Sequence, residues 1–226
     1  MFNIKRYGLA LIIFIIFFLN VLSMISIVQC ATIEKTKRIY TDRDSYIDGL
    51  NPDSNYGGQD LLEIGTSGPK YAYIHFDLSN RPENITKAEI VLDFFYVSET
   101  SLISIYIADS NNWGELTINW NNAPSKGALI TSGYISNDGR YKFSLPKSAY
   151  DTAQITFIIE TDEDWMTITS KDYQYLIYEE DVPNILYTYT IEAPSIMSIP
   201  GYNMVIFSIE IMSIVGVLIF YYKKRK

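Results

Sequence analysis

Two of the three tryptophans in this sequence lie seven residues apart in an amide-rich stretch, Asn112–Pro124. Aromatic rings offer flat apolar faces to the C–H surfaces of sugars, and amide or carboxylate groups can bind the hydroxyls. Two interpretations of the stretch stay open: a loop pinned to a β-core by its tryptophans, or a platform that presents them to a ligand. Trp120 follows Ile118 on a predicted strand and is expected in the core, whereas Trp113 fits either interpretation. The candidate carbohydrate-binding residues are Trp113, Glu115 and Asn112 and, in a separate acidic turn, Trp165.

Closely spaced acidic residues near the start of the chain form a second candidate site. Carboxylates and amides supply the hard oxygen ligands that Ca²⁺ prefers, although the spacing here matches no EF-hand loop. Alternatively, these side chains cap the turns at Asn51–Asp53 and Asn55–Gly57. A structural calcium ion is the one cofactor that we consider. Its candidate ligands are Asp42, Asp44, Asp48 and Asp53.

The sequence gives little support for catalytic machinery. We therefore predict that the protein is not an enzyme and that it has no catalytic residue. His75 is the single histidine, on the polar face of a predicted strand, and Cys30 is the single cysteine. Nucleophilic Ser/His or Cys/His catalysis therefore has no visible set of partners. A glycosidase with paired carboxylates stays open, because many acidic residues always include close pairs.

Asn84, in Asn84–Thr86, is a candidate N-glycosylation acceptor.

The elements that must position these residues are predicted to be strands throughout. Alternating or continuous apolar runs rich in Ile, Val, Tyr, Phe and Thr are typical of a pleated, half-buried surface. Turn residues separate these runs at regular intervals, which favours a β-sandwich or barrel. One helical turn fits 147–151. The predicted strands are 71–78, 89–97, 101–108, 155–161 and 184–191.

The two ends have the patterns of targeting and membrane segments. Residues 1–31 fit a cleaved signal peptide or an uncleaved signal anchor, and the residues before Cys30 make a poor lipidation site. Residues 193–201 form a short stalk, 202–222 a single transmembrane helix, and 223–226 a basic cytoplasmic tail. Glu210 within that helix is either tolerated or a contact for a partner helix. We therefore expect a single-pass protein of the cell membrane, with residues 32–192 as an extracellular domain.

The exported part is strongly acidic, which limits its partners. Six of the 18 basic residues lie in the terminal segments, and Glu210 is the one acidic residue there, so residues 32–200 have a net charge near −13. A surface of that sign repels phosphates, which excludes nucleic acid and anionic membranes as expected partners.

Several fragments in a fixed order together carry a resemblance to a known family. They are Asp44–Asp48, Asn51–Gly57, Leu62–Gly65, Ile74–Leu78, Trp113-x-Glu115, Ile118-x-Trp120-Asn121-Asn122-x-Pro124, Ser170–Asp172 and Pro183–Leu186. Across about residues 37–191 the chain resembles the DNRLRE domain, or disaggregatase-related repeat, which overlaps a family of carbohydrate-binding modules. Asp172 departs from the glutamate usual in that family. The C-terminal end is similar to anchors of archaeal surface proteins.

The resemblance implies a jelly-roll-like antiparallel β-sandwich of the kind found on secreted and surface proteins of archaea and bacteria. It also implies that Trp120, Asn121, Asn122 and Pro124 belong to the fold pattern. We expect an all-β domain between an N-terminal signal helix and a C-terminal transmembrane helix. Its expected function is to bind polysaccharide without catalysis. The alternatives are a structural or adhesive protein that contacts other surface proteins, and a polysaccharide-cleaving enzyme.

Overall fold

Eleven β-strands make up most of the residues that the computed structural model describes, 32–173 and 181–193. The chain divides into two compact units, Glu34–Ile191 and the two ends together, and the second lies almost wholly outside the described residues. The strands are β1 Thr32–Tyr40, β2 Arg43–Asp48, β3 Leu61–Ile64, β4 Lys70–Asp77, β5 Ile85–Phe95, β6 Ser101–Ala108, β7 Lys126–Ile135, β8 Gly139–Ser144, β9 Gln154–Thr161, β10 Met166–Thr169 and β11 Asn184–Glu192.

The first sheet has six strands and is built around β5, the longest strand. Its order is β1-β11-β5-β10-β3, with β8 also paired to β5. The pairs of β11 end at Val91 and those of β10 lie at Phe94 and Phe95, so these two strands follow one another along one edge of β5. The pairs of β8 overlap both, so β8 occupies the other edge.

The second sheet has five antiparallel strands in the order β2-β4-β9-β6-β7. In β4, Ala72, Ile74 and Phe76 belong to the main core, while Tyr71 and Tyr73 pack in a second apolar cluster. A strand that is apolar on both faces predicts burial on both sides. The outer face of this sheet is therefore covered over part of its area.

The main core lies between the two sheets and consists of large side chains that alternate along each strand. Burying one such side chain stabilises the fold by roughly 1.5–3 kcal/mol, so the interior dominates the stability of the domain. The fully buried large side chains are Leu62, Ile64, Ile74, Phe76, Leu78, Ile90, Leu92, Phe94, Ile103, Ile105, Phe157 and Tyr187.

The predicted antiparallel β-sandwich is confirmed, and all five predicted strands are present. The predicted helical turn is a short 3-10 helix at Lys147–Ala149. The predicted strand at Ile118–Trp120 is wrong, because the amide of Ile118 instead donates to the carbonyl of Gly114 in a tight turn. The predicted segments 1–31 and 202–222 lie outside the described residues. Within the described part of the chain, no helix has the length and apolar character to cross a membrane.

Candidate functional site

The loop between β6 and β7, residues 109–125, lies on the outer face of the five-stranded sheet. Trp113 is 7% exposed, and its indole Nε1 donates a 3.0 Å hydrogen bond to Thr156 Oγ1. Its ring meets Tyr73 edge-on, with the ring centroids 6.1 Å apart. Trp113 therefore pins the loop to the sheet. Of the two interpretations of this stretch, the structure favours the loop pinned by its tryptophan, because the Trp113 side chain is almost fully buried.

The loop also buries His75, which the sequence placed on an exposed polar face. The side chain is 1% exposed and packs edge-on against Trp113, with the ring centroids 6.5 Å apart. His75 Nδ1 lies 2.6 Å from Asp42 Oδ1, and Nε2 has no hydrogen-bond partner among the described residues. The outward face of β4 is thus a second small core rather than a solvated surface.

Polar side chains from β2 and from the turns after it bind the loop 109–125. Asn55 Nδ2 donates to the carbonyls of Glu115 and Ile118, at 2.8 and 2.7 Å. Gly57 lies so close that a Cβ atom there would be 2.1 Å from the carbonyl oxygen of Glu115. Arg43 donates to the carbonyl of Trp113 and places its guanidinium 5.3 Å from the centre of that ring. Motifs that are distant in the sequence thus meet in one structural network.

A buried carboxylate joins this network to the turn after β10. Asp44 accepts hydrogen bonds from Ser170 Oγ at 2.9 Å and from the amide of Lys171 at 2.7 Å. Its own amide donates to Glu115 Oε1 at 3.1 Å. Burial raises the pKa of Asp44 to about 7, and its bonds to Lys171 and Ser170 oppose that rise.

Three carboxylates in this network, from Asp44, Glu115 and Asp172, are close enough together to hold a metal ion. The ammonium of Lys171 already lies 2.9 Å from Glu115 Oε1 and 2.9 Å from Asp172 Oδ2. A cation in the centre of the group would compete with that lysine. The arrangement is therefore a salt-bridged clamp.

The calcium ligands predicted from the sequence do not converge. Asp44 belongs to the clamp, while Asp42 lies against His75. Asp48 accepts from the amide of Leu50 and from Asn51, and Asp53 accepts from Asn121 Nδ2 at 2.8 Å. Each of these carboxylates thus has a separate partner. The capping alternative is present in the turn Asn55–Gly57, where Asn55 Oδ1 accepts from the amide of Gly57 at 3.2 Å.

The second half of the loop ends in a turn that rests on β4. Trp120 is half-buried rather than in the core, and it stacks on Tyr71 with the ring centroids 5.5 Å apart. Asn122 bonds the amide of Asn119 and the carbonyl of Thr117, and the carbonyl of Pro124 accepts from the hydroxyl of Tyr73. The asparagines thus close the turn. Of the other candidates, Glu115 is held by Lys171, and Asn112 and Asn84 are exposed.

An exposed aromatic pair lies elsewhere, at one end of the sandwich. Tyr96 follows β5 and Trp165 precedes β10, and the pairing of Phe95 with Thr167 brings the two side by side. Their ring centroids are 5.4 Å apart at an interplanar angle of 35°. Tyr96 is 60% exposed and Trp165 43% exposed. We call these two residues the aromatic pair. The sequence indicated Trp165 but missed Tyr96, whose position depends on a pairing of distant strands.

Tyr96 has a backbone conformation that is unusual for its residue type. Its φ is 59°, in the left-handed region where a bulky side chain is strained. Such strain persists only where the surrounding structure imposes it, and it is often found at functional sites. Here it accompanies a tyrosine ring that lies mostly in solvent.

A cleft of about 410 Å³ adjoins the turn that carries Trp165. Gly65 lines it, and a Cβ atom at Gly65 would lie 2.3 Å from the carbonyl of Asp164 and 3.1 Å from Trp165 Cα. The other lining residues are Thr66, Pro69, Tyr71, Leu102, Ser104, Glu160, Thr161 and Asp162. An aromatic ring, hydroxyls and carboxylates thus line this cleft, close to the backbone of Asp164 and Trp165.

The cation beside this cleft is already paired within the protein. Lys126 Nζ lies 2.6 Å from Glu160 Oε2 and over the rings of Tyr71 and Tyr106, at 5.2 and 4.6 Å from their centres. A second cleft, of about 660 Å³, includes Asn84 in its lining. It lies where β5 begins, whereas Tyr96 follows the end of that strand.

Comparison with protein families identifies this chain with one family of sugar-binding modules. The family model for carbohydrate-binding module family 96 matches residues 35–169, more than half of the chain. A gellan lyase from a Bacillus species is 27% identical over 95 residues, which span 39% of this chain and 4% of that protein.

A solved structure, of the CBM22-1-GH10 modules of Clostridium thermocellum endo-1,4-β-D-xylanase 10B with xylohexaose, was also found. The alignment with it covers 72% of this chain and 30% of the xylanase chain, at 11% identity and a TM-score of 0.28. A score that low does not establish a shared fold.

Proposed function

Because the chain belongs to carbohydrate-binding module family 96 through residues 35–169, we propose that it binds a polysaccharide and has no catalytic role of its own. The family match carries this proposal, since it covers nearly the whole sandwich. The short match to a gellan lyase agrees with a polysaccharide ligand, although the chain spans only 4% of that protein. Binding modules hold a polymer for whatever acts on it or adheres to it.

We place the sugar contact at the aromatic pair and the neighbouring cleft. Two adjacent exposed rings offer an apolar surface on which successive sugar units can stack. The cleft beside them offers hydroxyls of Thr66 and Ser104 and the carboxylate of Asp162 as hydrogen-bonding groups. By contrast, Trp113 and Glu115 are committed to holding the loop, so they contribute structure rather than binding.

The same proposal places the domain outside the cell. The apolar run after Lys5 and Arg6 would direct export, and the run 202–222 followed by four basic residues would anchor the chain with its C-terminus inside. The module would then hold polysaccharide of the envelope or of the surroundings at the cell surface.

A binding assay with the full chain tests the proposal. The purified protein is titrated with soluble oligosaccharides of neutral, acidic and amino sugars, alongside Trp165→Ala and Trp113→Phe. We expect binding to at least one class, a loss of about tenfold or more in Trp165→Ala, and an affinity near that of the wild type in Trp113→Phe. Trp113→Phe should lower the midpoint of thermal unfolding instead, because it removes the bond to Thr156. Absence of binding across all classes would refute the proposal.

A structural or adhesive role is the second candidate. Strand β7 is an edge of its sheet, and its outward side chains Leu129 and Tyr134 are 54% and 70% exposed. An unpaired edge with apolar side chains can add a strand from another protein. Crosslinking on intact cells that captured neighbouring proteins at β7, together with no glycan binding, would favour this role.

A further inference from the structure

We infer that Asn84 carries an N-linked oligosaccharide, whose first sugar units lie in the cleft of about 660 Å³ beside it. This inference rests on the part of the proposed function that places the domain outside the cell, and it goes beyond sugar binding at the aromatic pair. Asn84–Thr86 is the one Asn-X-Ser/Thr sequence among the 226 residues, and such sequences accept glycans on the surface of exported chains.

The acceptor side chain is exposed and takes no part in holding the fold. Asn84 immediately precedes β5, and its side chain makes no hydrogen bond within residues 32–173 and 181–193. Its backbone is held, because its carbonyl accepts from the amide of Thr190 at 3.2 Å. By contrast, the amide groups of Asn55 and Asn122 bond backbone carbonyls. A sugar attached to Asn84 therefore breaks no contact of the folded domain.

The cleft next to Asn84 has the size and lining for sugar units. Its volume falls in the range of roughly 300–1,000 Å³ that is typical of small-molecule sites. Tyr150 lines it and is half-buried, so its ring can contact the C–H surface of a sugar. Arg81, Lys147 and Glu83 also line it and offer groups that bind hydroxyls. Asn84 itself is part of this lining, so an attached glycan starts inside the cleft.

The order of the strands makes the acceptor sequence available before the sheet closes. Thr86 Oγ1 donates to the carbonyl of Thr188 at 3.1 Å, across a separation of 102 residues. That contact forms where β5 pairs with β11. A chain that leaves the cell from its N-terminus presents Asn84–Thr86 outside before β11 has followed. The hydroxyl of Thr86 is thus unpaired when a transferase meets the sequence.

The transfer needs a co-reactant, which is an oligosaccharide joined to a lipid phosphate, and a transferase of the membrane. Asn84 Nδ2 forms a bond to the anomeric carbon of the first sugar, and the bond from that carbon to the phosphate oxygen breaks. The lipid phosphate leaves with the electron pair of the broken bond. One proton of the amide passes to a base of the transferase, so nothing is oxidised or reduced. The chain is the acceptor of this reaction and not its catalyst.

The glycan and the aromatic pair lie at opposite ends of one strand. The 11 residues of β5 separate Asn84 from Tyr96 by about 35 Å, at a rise of about 3.3 Å per residue. A glycan seated in the cleft therefore leaves the aromatic pair uncovered. Oligosaccharide binding should be the same with and without the modification.

Mass spectrometry of the full chain, purified from its native cells, tests the modification. Intact cells are first treated with an amine reagent that does not cross membranes, which reports whether the chain lies outside. The peptide that contains Asn84 should exceed its sequence mass by whole sugar units. The peptide that contains Asn137, an exposed asparagine outside any such sequence, should not.

Three variants connect the added mass to the acceptor sequence. Asn84→Asp and Thr86→Val should lose the added mass, whereas Thr86→Ser retains an acceptor sequence and should keep it. The φ of Asn84 is 51°, in the left-handed region that aspartate also tolerates, so Asn84→Asp removes the acceptor without disturbing the fold.

Oxidation by hydroxyl radicals tests where the glycan lies. Tyr150 should lose reactivity in the glycosylated chain relative to Asn84→Asp, because the sugar covers its ring. Tyr134 is 70% exposed and belongs to β7, so its oxidation should be equal in the two forms.

The outcomes separate this inference from the proposed function. A chain that is labelled at the cell surface and has the Asn84 peptide at its sequence mass overturns the inference and leaves the proposed function intact. A chain that is not labelled there overturns the inference together with the location outside the cell. Equal oxidation of Tyr150 in both forms overturns the position of the glycan in the cleft. Absence of oligosaccharide binding in both wild type and Asn84→Asp refutes sugar binding at the aromatic pair and not the modification.

Discussion

The two residues at which we propose sugar binding, Tyr96 and Trp165, lie side by side but differ in their backbone conformation. Tyr96 has a φ of 59°, whereas Trp165 is not among the residues with positive φ. A residue held in that region costs on the order of 1–3 kcal/mol. The protein therefore keeps a strained tyrosine at a place where its ring faces solvent, which is hard to explain by stability alone.

Replacing Tyr96 should separate stability from binding. In Tyr96→Gly the strain disappears, partly offset by about 0.5–1 kcal/mol of added chain entropy in the unfolded state. We expect the free energy of unfolding, measured by urea denaturation, to stay the same or rise by about 1 kcal/mol, while sugar binding weakens. Tyr134→Gly, at a similarly exposed tyrosine within β7, should instead lose about 1 kcal/mol. A clear loss of stability in Tyr96→Gly would contradict the strain.

The raised pKa of Asp44 predicts that the free energy of unfolding depends on pH. Burial raises the pKa of its carboxyl group from the ordinary 3.8 to about 7. Between those values the folded chain holds a proton that the unfolded chain has lost, so the contribution of Asp44 to stability falls as pH rises, by at most about 1.4 kcal/mol per pH unit. Asp44→Asn lacks this component. The difference in free energy of unfolding, wild type minus variant, should therefore decrease between about pH 4 and 7. A constant difference would show that the carboxyl does not titrate there.

At the scale of elements, the loop 109–125 is a cover for the outer face of the five-stranded sheet. It is attached through Trp113, through the carbonyls that Asn55 binds and through the clamp of Asp44, Glu115 and Lys171. The residues that hold the loop from outside it are Asp44 in β2, Asn55 in the turns after β2 and Lys171 in the segment after β10. The loop thus contributes to the stability of the fold, because it buries Tyr73 and His75.

Two neighbouring glycines test how closely the loop is attached. A Cβ atom at Gly57 would lie 2.1 Å from a backbone oxygen of Glu115, whereas at Gly58 it would meet nothing within 4 Å. We expect Gly57→Ala to destabilise the protein by about 2 kcal/mol or more through displacement of the loop. Gly58→Ala should cost about 1 kcal/mol, from its φ of 85° alone. Thermal unfolding of both variants measures the difference. Equal costs would mean that the loop is not held at Gly57.

The sequence was sufficient for the sandwich but not for the site. The alternation in β4, β6 and β9 is local, and it identified these strands directly. Short strands such as β3 and β10, with four residues each, carry too few alternations to be recognised. The aromatic pair depends on the pairing of Phe95 with Thr167, about 70 residues apart, and no local pattern encodes that contact. Trp113 stayed open between two interpretations for the same reason, because the loop that contains it folds back onto the distant strands β4 and β9.

At the scale of the whole molecule, the family match and the aromatic pair together define the account. A sandwich of carbohydrate-binding module family 96 makes up nearly all of the described residues. Its loop 109–125 is bound to the five-stranded sheet, and Tyr96 and Trp165 expose their rings to solvent. The molecule thus combines the sandwich of a carbohydrate-binding family with an exposed aromatic pair.

The most direct test of the central claim is a titration of the three indole N–H signals by NMR, assigned with single Trp→Phe variants of the full chain. The account predicts that adding a bound oligosaccharide shifts the signal of Trp165 and leaves that of Trp113, which donates to Thr156, in place. A ligand that shifted the Trp113 signal and left Trp165 unchanged would contradict the account, because the sugar would then bind at the covered loop instead of the aromatic pair.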